Sequence, residues 1–182
     1  MVTKRLNLGC GENIKEGWVN LDSAALPGVD VVHDIEKIPF PFKDGEFDEI
    51  LCRDVLEHVE YIPVLRELYR ILKPGGVLRV QVPHFTSRNN FVDPTHKKMF
   101  SVSTFDFFVK GTSKFAERAY YFDFSFSGIK SSRITFKRHG IFWPNRVVSK
   151  CINSRDTFKV FYEETGLSRI FPAENILIEL IK

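Results

Sequence analysis

Gly9 and Gly11 flank Cys10 near the start of the chain, and Asp22 follows thirteen residues after Gly9. Glycine at those two positions lets backbone come close to a ligand where any Cβ would collide. A carboxylate at Asp22 can accept hydrogen bonds from both hydroxyls of a ribose. For these groups to meet, one strand must end at the glycines and the next at the aspartate. Arg5–Leu8 and Trp18–Leu21 have the apolar content for those two strands.

The loop between them says which ligand is suited. A dinucleotide fingerprint carries a third glycine, opens a full helix and places its acidic residue about 20 residues on. Here Glu12-Asn13-Ile14 follows Gly11, and Glu12 to Gly17 has room for roughly one turn at ~3.6 residues per turn. One turn offers little of the N-terminal dipole that holds a pyrophosphate, and Glu12 adds an unfavourable charge. A ribose without a phosphate fits better, which disfavours an NAD-dependent dehydrogenase.

Six segments in order then resemble a known family. Leu6-Asn7-Leu8-Gly9-Cys10-Gly11 and Gly17-Trp18-Val19-Asn20-Leu21-Asp22 are similar to the first two motifs of class I S-adenosylmethionine-dependent methyltransferases. His33-Asp34-Ile35-Glu36, Phe40 to Asp48, Asp54-Val55-Leu56-Glu57-His58-Val59 and Leu72-Lys73-Pro74-Gly75-Gly76 resemble the later ones. The shortened first helix places the resemblance in a compact, methyltransferase type 11-like branch, over residues 5–83. It implies an α/β, Rossmann-like open sheet, mostly parallel with an antiparallel C-terminal strand. It implies S-adenosyl-L-methionine as cofactor and S-adenosyl-L-homocysteine as product. The cofactor residues it implies are Leu8, Gly9, Cys10, Gly11, Asp22, Asp34, Ile35, Arg53, Asp54, Val55 and His58. Asp22 would take the ribose, and Asp34 with Ile35 would frame the adenine. Gly9 and Gly11 would line the methionine portion, with Arg53 a partner for the ligand carboxylate. Arg53 reads equally as a surface ion pair, and His58 reads first as a packing or helix-capping histidine.

Methyl transfer asks little covalent help of a protein. It must align nucleophile, methyl and sulfur, and remove a proton where the nucleophile carries one. Pro83-His84-Phe85 and Asp93-Pro94-Thr95-His96 follow the fifth strand, beside the expected cofactor. An imidazole titrates near neutral pH, so His96, and after it His84, are the candidate general bases. We expect one methyltransferase domain over residues 1–182, with 84–116 as a substrate or lid insertion.

The acceptor is less constrained. A small-molecule or glycan-type hydroxyl is the first reading. An RNA-directed enzyme and a non-catalytic S-adenosylmethionine-binding module are the alternatives. Cys52-Arg53-Asp54-Val55 stands where enzymes that methylate base amino groups carry an Asn/Asp-Pro-Pro-Tyr-type element, which counts against that chemistry. Charge supports an anionic partner: residues 1–109 are net −3, 110–160 net +8 and 161–182 net −2. Such a segment suits nucleic acid, a phosphorylated sugar or an anionic membrane surface. Ten aromatics between Phe100 and Phe126 suit a second core, a lid or a homodimer contact.

With 182 residues and 43% hydrophobic content, the chain can bury one core of ordinary size. No apolar run is long enough to span a bilayer, no signal peptide is legible, and three scattered cysteines form no disulfide framework or zinc spacing. A cytoplasmic protein without a metal is the expectation. Further strands are expected at Val29–His33, Phe47–Cys52, Val77–Val82, Tyr120–Phe126, Arg133–Lys137 and Asn175–Ile181. The fourth-to-fifth pair of the first five is bridged by a helix over Tyr61–Leu72, in which Val64, Leu65, Leu68, Ile71 and Leu72 make the apolar stripe. Shorter helices are expected near 100–108, capped by Ser103, and at Thr157–Glu164.

Overall fold

A computed structural model describes residues 3–182. Its centre is a seven-stranded sheet in the order β3-β2-β1-β4-β5-β7-β6. The strands are β1 Arg5–Leu8, β2 Val19–Asp22, β3 Val31–Val32, β4 Phe47–Arg53, β5 Leu72–Pro83, β6 Gly128–Ile134 and β7 Asn175–Ile181. The first five pair in parallel, and β7 runs antiparallel between β5 and β6. This is the mostly parallel α/β sheet that the resemblance implies, with its antiparallel C-terminal strand.

The period-2 alternation of side chains divides the sheet into two unlike faces. Ile50 and Cys52 of β4, Leu78, Val80 and Val82 of β5, and Ile176, Ile178 and Leu180 of β7 are all buried. The last six pair directly, Leu78 with Leu180, Val80 with Ile178 and Val82 with Ile176. Helix α1 (Tyr61–Ile71) lays Val64, Leu65, Leu68 and Ile71 into the same core. The intervening residues Arg53, Arg79 and Gln81 line the other face, which is partly open and carries Arg79–Glu49 and Arg79–Glu179 ion pairs at 3.1 and 3.2 Å.

Several expectations beyond β5 are corrected. Tyr120–Phe126 is not a strand, although its alternation is real: Phe124 and Phe126 are buried and Asp123 is exposed. These rings pack on Tyr69 and Phe108, and the backbone makes only a single bridge, Val109 to Phe126. After the short helices α2 (Asn89–Val92) and α3 (Ser113–Arg118), Gly128 therefore begins β6 instead of turning a hairpin, and β6 pairs with β7, which the chain reaches only after α4 (Asn145–Ile152), α5 (Asp156–Glu164) and α6 (Leu167–Ile170). Ser103 precedes a 3-10 turn over Thr104–Phe108 without a side-chain cap. The aromatic segment is largely core, with Phe100, Phe105 and Phe108 buried and Tyr120 and Tyr121 exposed.

Two contacts tie the loops to the frame. Glu67 of α1 is buried, accepts from Arg70 Nε at 2.9 Å and Nη2 at 2.8 Å, and accepts from the Phe40 backbone N–H at 2.8 Å. Burial pushes its carboxyl up, but these donors outweigh it and hold Glu67 below its usual range. Gly9 has φ +62°, and a Cβ there would collide with Val55 Cγ2.

Two outcomes follow from these contacts. Glu67→Gln should cost about 2–3 kcal/mol in urea unfolding at pH 7, the scale of lost charged hydrogen bonds. A depressed carboxyl stabilises the fold above its unfolded value and loses that effect as pH falls through the folded one. The gap between wild type and variant should therefore close as pH drops below 4.5. Gly9→Ala should lower thermal stability through a left-handed φ and the Val55 contact, by roughly 1–3 kcal/mol; an unchanged melting temperature would mean the turn relaxes freely.

Candidate active site

The carboxyl ends of β1, β2 and β4 converge where an open α/β sheet binds its ligand. A cleft of about 340 Å³ lies there, lined by Gly9, Asp22, Ser23, Asp34, Ile35, Glu36, Asp54, Val55, His58 and Val59. Seven of the expected cofactor residues thus meet in one place: Gly9, Asp22, Asp34, Ile35, Asp54, Val55 and His58.

Asp22 does more than line the cleft. Its Oδ2 accepts the Gly11 N–H at 2.8 Å and its Oδ1 the Ala24 N–H at 3.0 Å. One carboxylate thereby fixes the glycine turn and its own loop. Each oxygen keeps a further lone pair for a hydroxyl. Below it, Asn7 Nδ2 donates to Asn13 O at 2.9 Å and to Asn20 Oδ1 at 3.0 Å, which holds the short connection in place of a helix. Leu8 and Cys10 are buried, so only their backbone can border a ligand. Burial, followed by the charge of Asp22, pushes the Cys10 thiol up. Arg53 is placed elsewhere. It follows Leu51 onto the open sheet face, where it lines a separate hollow with Trp18, Arg79 and Gln81. The strand pleat turns it away from the cleft where a ligand carboxylate would lie.

A second cleft, of about 380 Å³, adjoins the first. Asp54, Glu57, His58, Pro83, Asn89, Val92, Asp93, His96 and Asn175 line it. Asp54 and His58 belong to both clefts. Asp54 has φ 54°, the left-handed region that Asp tolerates better than most residues. Its N–H donates to Gln81 O at 2.9 Å, and Gln81 Nε2 donates to its two carboxylate oxygens at 3.0 and 3.1 Å. The chain leaves this corner as the 3-10 turn Leu56–His58.

His96 comes to the same place from the other side. The N–H groups of Lys97 and Lys98 both donate to Glu57 O, at 2.7 and 3.1 Å, which clips the 93–98 segment onto the 3-10 turn. The His58 and His96 rings meet edge to face, 4.6 Å apart at 82°. Burial first, then His58, pushes His96 below its usual value. Its Nδ1 is buried with no hydrogen-bond partner among the described residues. Glu57, which the sequence reading did not single out, is fully buried with neither carboxylate oxygen hydrogen-bonded. Burial, helped by Asp54 and Asp93, pushes it up to about 7.

His84 stands outside both clefts. It is fully buried, with Nδ1 2.8 Å from Thr86 Oγ1 and Nε2 2.9 Å from Glu163 Oε1. Glu163 also accepts from Ser101 Oγ and Val102 N. The group is a knot joining β5, the 101–102 loop and α5, and it leaves His84 no free nitrogen for an acceptor.

Comparison with known proteins bears on this geometry. A family model described as a methyltransferase domain matches residues 6–80. An uncharacterized protein of Methanocaldococcus jannaschii is 57% identical over 42 residues, 23% of this chain and 19% of its own length. Demethylmenaquinone methyltransferase of Listeria welshimeri is 39% identical over 66 residues, 36% of this chain and 28% of its own length. The matched stretch thus spans under a third of either relative. Among solved structures, an S-adenosylmethionine-dependent methyltransferase from Archaeoglobus fulgidus superposes with TM-score 0.59 at 20% identity, over 99% of this chain and 86% of the other. YcgJ of Bacillus subtilis does so with TM-score 0.57 at 16% identity, over 99% and 92%.

The cofactor that this family and fold imply is S-adenosylmethionine, and the residues suit it. A carboxylate with spare lone pairs stands at the tip of β2, the Gly9 surface admits no Cβ, and no phosphate-binding helix follows. Residues 6–80 match the model of a methyltransferase domain, and the chain as a whole has the class I S-adenosylmethionine-dependent methyltransferase fold.

Proposed function

We propose that the chain transfers a methyl group from S-adenosylmethionine to a hydroxyl of a small-molecule or glycan-type acceptor. The observation that carries this reading is the shared wall of the two clefts, Asp54 and His58. A cofactor whose ribose is held by Asp22 reaches that wall with its methionine end, and an acceptor in the second cleft meets it from the opposite side. The sulfonium supplies an electrophilic methyl and a good leaving group. The acceptor oxygen's lone pair forms the new C–O bond while the C–S pair returns to sulfur, and the hydroxyl proton passes to His96. Alignment of this kind supplies several kcal/mol of a barrier. Asn89, Val92, Asp93 and His96 of the second cleft all come from the expected insertion 84–116, which makes that segment the acceptor wall. His96 is the acceptor-side residue, through its unpartnered Nδ1.

An RNA acceptor is the second reading, and one observation favours it. A separate cleft of about 890 Å³ gathers Arg133, Arg138, His139, Arg146 and Lys150, and no carboxylate lies within ion-pair distance of these among the described residues. Steep salt dependence of RNA binding would support that reading, and salt-independent or absent binding would remove it.

Calorimetry should detect binding of S-adenosylmethionine and S-adenosylhomocysteine but not NAD. Asp22→Ala should weaken the first two by about 1–3 kcal/mol, the scale of lost charged hydrogen bonds; unchanged affinity would place the ribose elsewhere. In a labelled-methyl transfer screen over fractionated cell extract, His96→Ala should abolish transfer while keeping cofactor affinity. Normal transfer by that variant would remove His96 from the acceptor side.

A further inference from the structure

We propose that Glu57, His58 and His96 form a binding site for one divalent transition-metal ion in the acceptor cleft. This rests on reading that cleft as the acceptor side, and it assigns the free lone pair of His96 to a cation in place of the expected role as general base. The three residues offer one carboxylate oxygen and two imidazole nitrogens whose atoms all lie within 4.8 Å of one another. Ligands at ~2.0–2.2 Å from a common ion at tetrahedral or octahedral angles stand about 3.0–3.6 Å apart, so the three side chains close inward to complete the set.

The polar atoms here lack partners that a folded protein normally provides. Glu57 is fully buried and neither of its carboxylate oxygens is hydrogen-bonded, and His96 Nδ1 is likewise buried and unpartnered. A buried carboxylate without a partner is costly, by several kcal/mol. The neighbouring cations do not relieve it: Lys97 pairs with Glu36 and Lys98 with Glu60. Asp54 and Asp93 line the same cleft and add negative charge. A cation would give Glu57 and His96 the partner they lack.

The surrounding hydrogen bonds also prepare His58. Thr95 Oγ1 donates its one proton to Asp93 Oδ1 at 2.6 Å and lies 2.9 Å from His58 Nδ1. Having spent its proton on Asp93, the hydroxyl can only accept from His58, so Nδ1 carries the hydrogen and Nε2 the lone pair. A carboxylate acting through a second group to fix a histidine tautomer is the outer shell that metal-binding histidines commonly have. Two nitrogens and one oxygen suit Mn²⁺, Fe²⁺ or Zn²⁺ and leave coordination positions open toward the cleft. An acceptor hydroxyl bound there would lose its proton to water more readily, and the resulting oxygen lone pair would attack the methyl carbon as the C–S bond breaks.

Chelator-treated full-length protein should be titrated with Mn²⁺, followed by calorimetry and by electron paramagnetic resonance, with Zn²⁺ as competitor. One ion per chain is expected. Glu57→Gln should weaken Mn²⁺ binding more than about 100-fold. Thr95→Val, at an exposed position, should weaken it about 10–100-fold, as loss of an outer-shell partner does. Absence of stoichiometric binding by wild type, or affinity unmoved by both substitutions, overturns the site. Each sample is titrated in parallel with S-adenosylhomocysteine, whose affinity should not change in the variants. Intact Mn²⁺ binding without any S-adenosylhomocysteine binding would overturn the methyltransferase reading and leave the cation site standing.

Discussion

At the end of β4 the chain must stop being a strand, turn, and present side chains to two clefts within five residues. Asp54 makes that turn with a left-handed backbone, φ 54°, which costs a non-glycine residue roughly 1–2 kcal/mol. Gln81 holds it there from β5, through its carbonyl and through its side-chain Nε2, which donates to the Asp54 carboxylate. The consequences are local and specific. Val55 is brought against Gly9, so only glycine fits at the end of β1. Glu57 and His58 are directed to the site by the short 3-10 turn that follows. Asp54 itself stands between the two clefts. The strain is offset by the β4–β5 ladder on which Arg53 and Gln81 are direct neighbours.

The cofactor half was legible in the sequence because its signals are local. The Gly9-Cys10-Gly11 turn, Asp22 and the length of the loop between them lie within fourteen residues, and each has a direct backbone consequence. The strands of the parallel core, the stripe of α1 and the final strand are equally local, since each shows its own hydrophobic period. What the sequence left hidden depends on contacts across the chain. Asp22 bonding Gly11 is one such contact. Arg53 is another: its position after β4 pointed to the ligand, and strand parity sends it to the opposite face. Tyr120–Phe126 alternates as a strand does, but its rings face Tyr69 and Phe108 and its backbone finds no ladder. His84 and His96 looked alike as loop histidines. Only tertiary structure distinguishes the one locked to Glu163, 79 residues away, from the one with an open nitrogen.

The acceptor half has its own electrostatic character. Asp54, Glu57 and Asp93 surround two imidazoles in a small volume, while the excess positive charge of the chain gathers around Arg133, Arg138 and Arg146 in a different cleft. The first cleft is acidic as well, with Asp22, Asp34 and Glu36 on its rim. A cationic sulfonium is favoured in such a field, and a bare polyphosphate is not. That pattern agrees with the short loop after β1, which offers no helix N-terminus for a phosphate. Glycine spacing, loop length and site charge therefore select the same kind of ligand by three separate physical routes.

The most direct measurement is a crystal structure of the chain with S-adenosylhomocysteine bound. The account predicts the ribose hydroxyls on Asp22, the adenine beside Asp34 and Ile35, and the sulfur directed past Gly9 to the Asp54–His58 wall, facing His96. A ligand seated in the Arg133–Arg146 cleft, or one whose sulfur faces away from the second cleft, would contradict it.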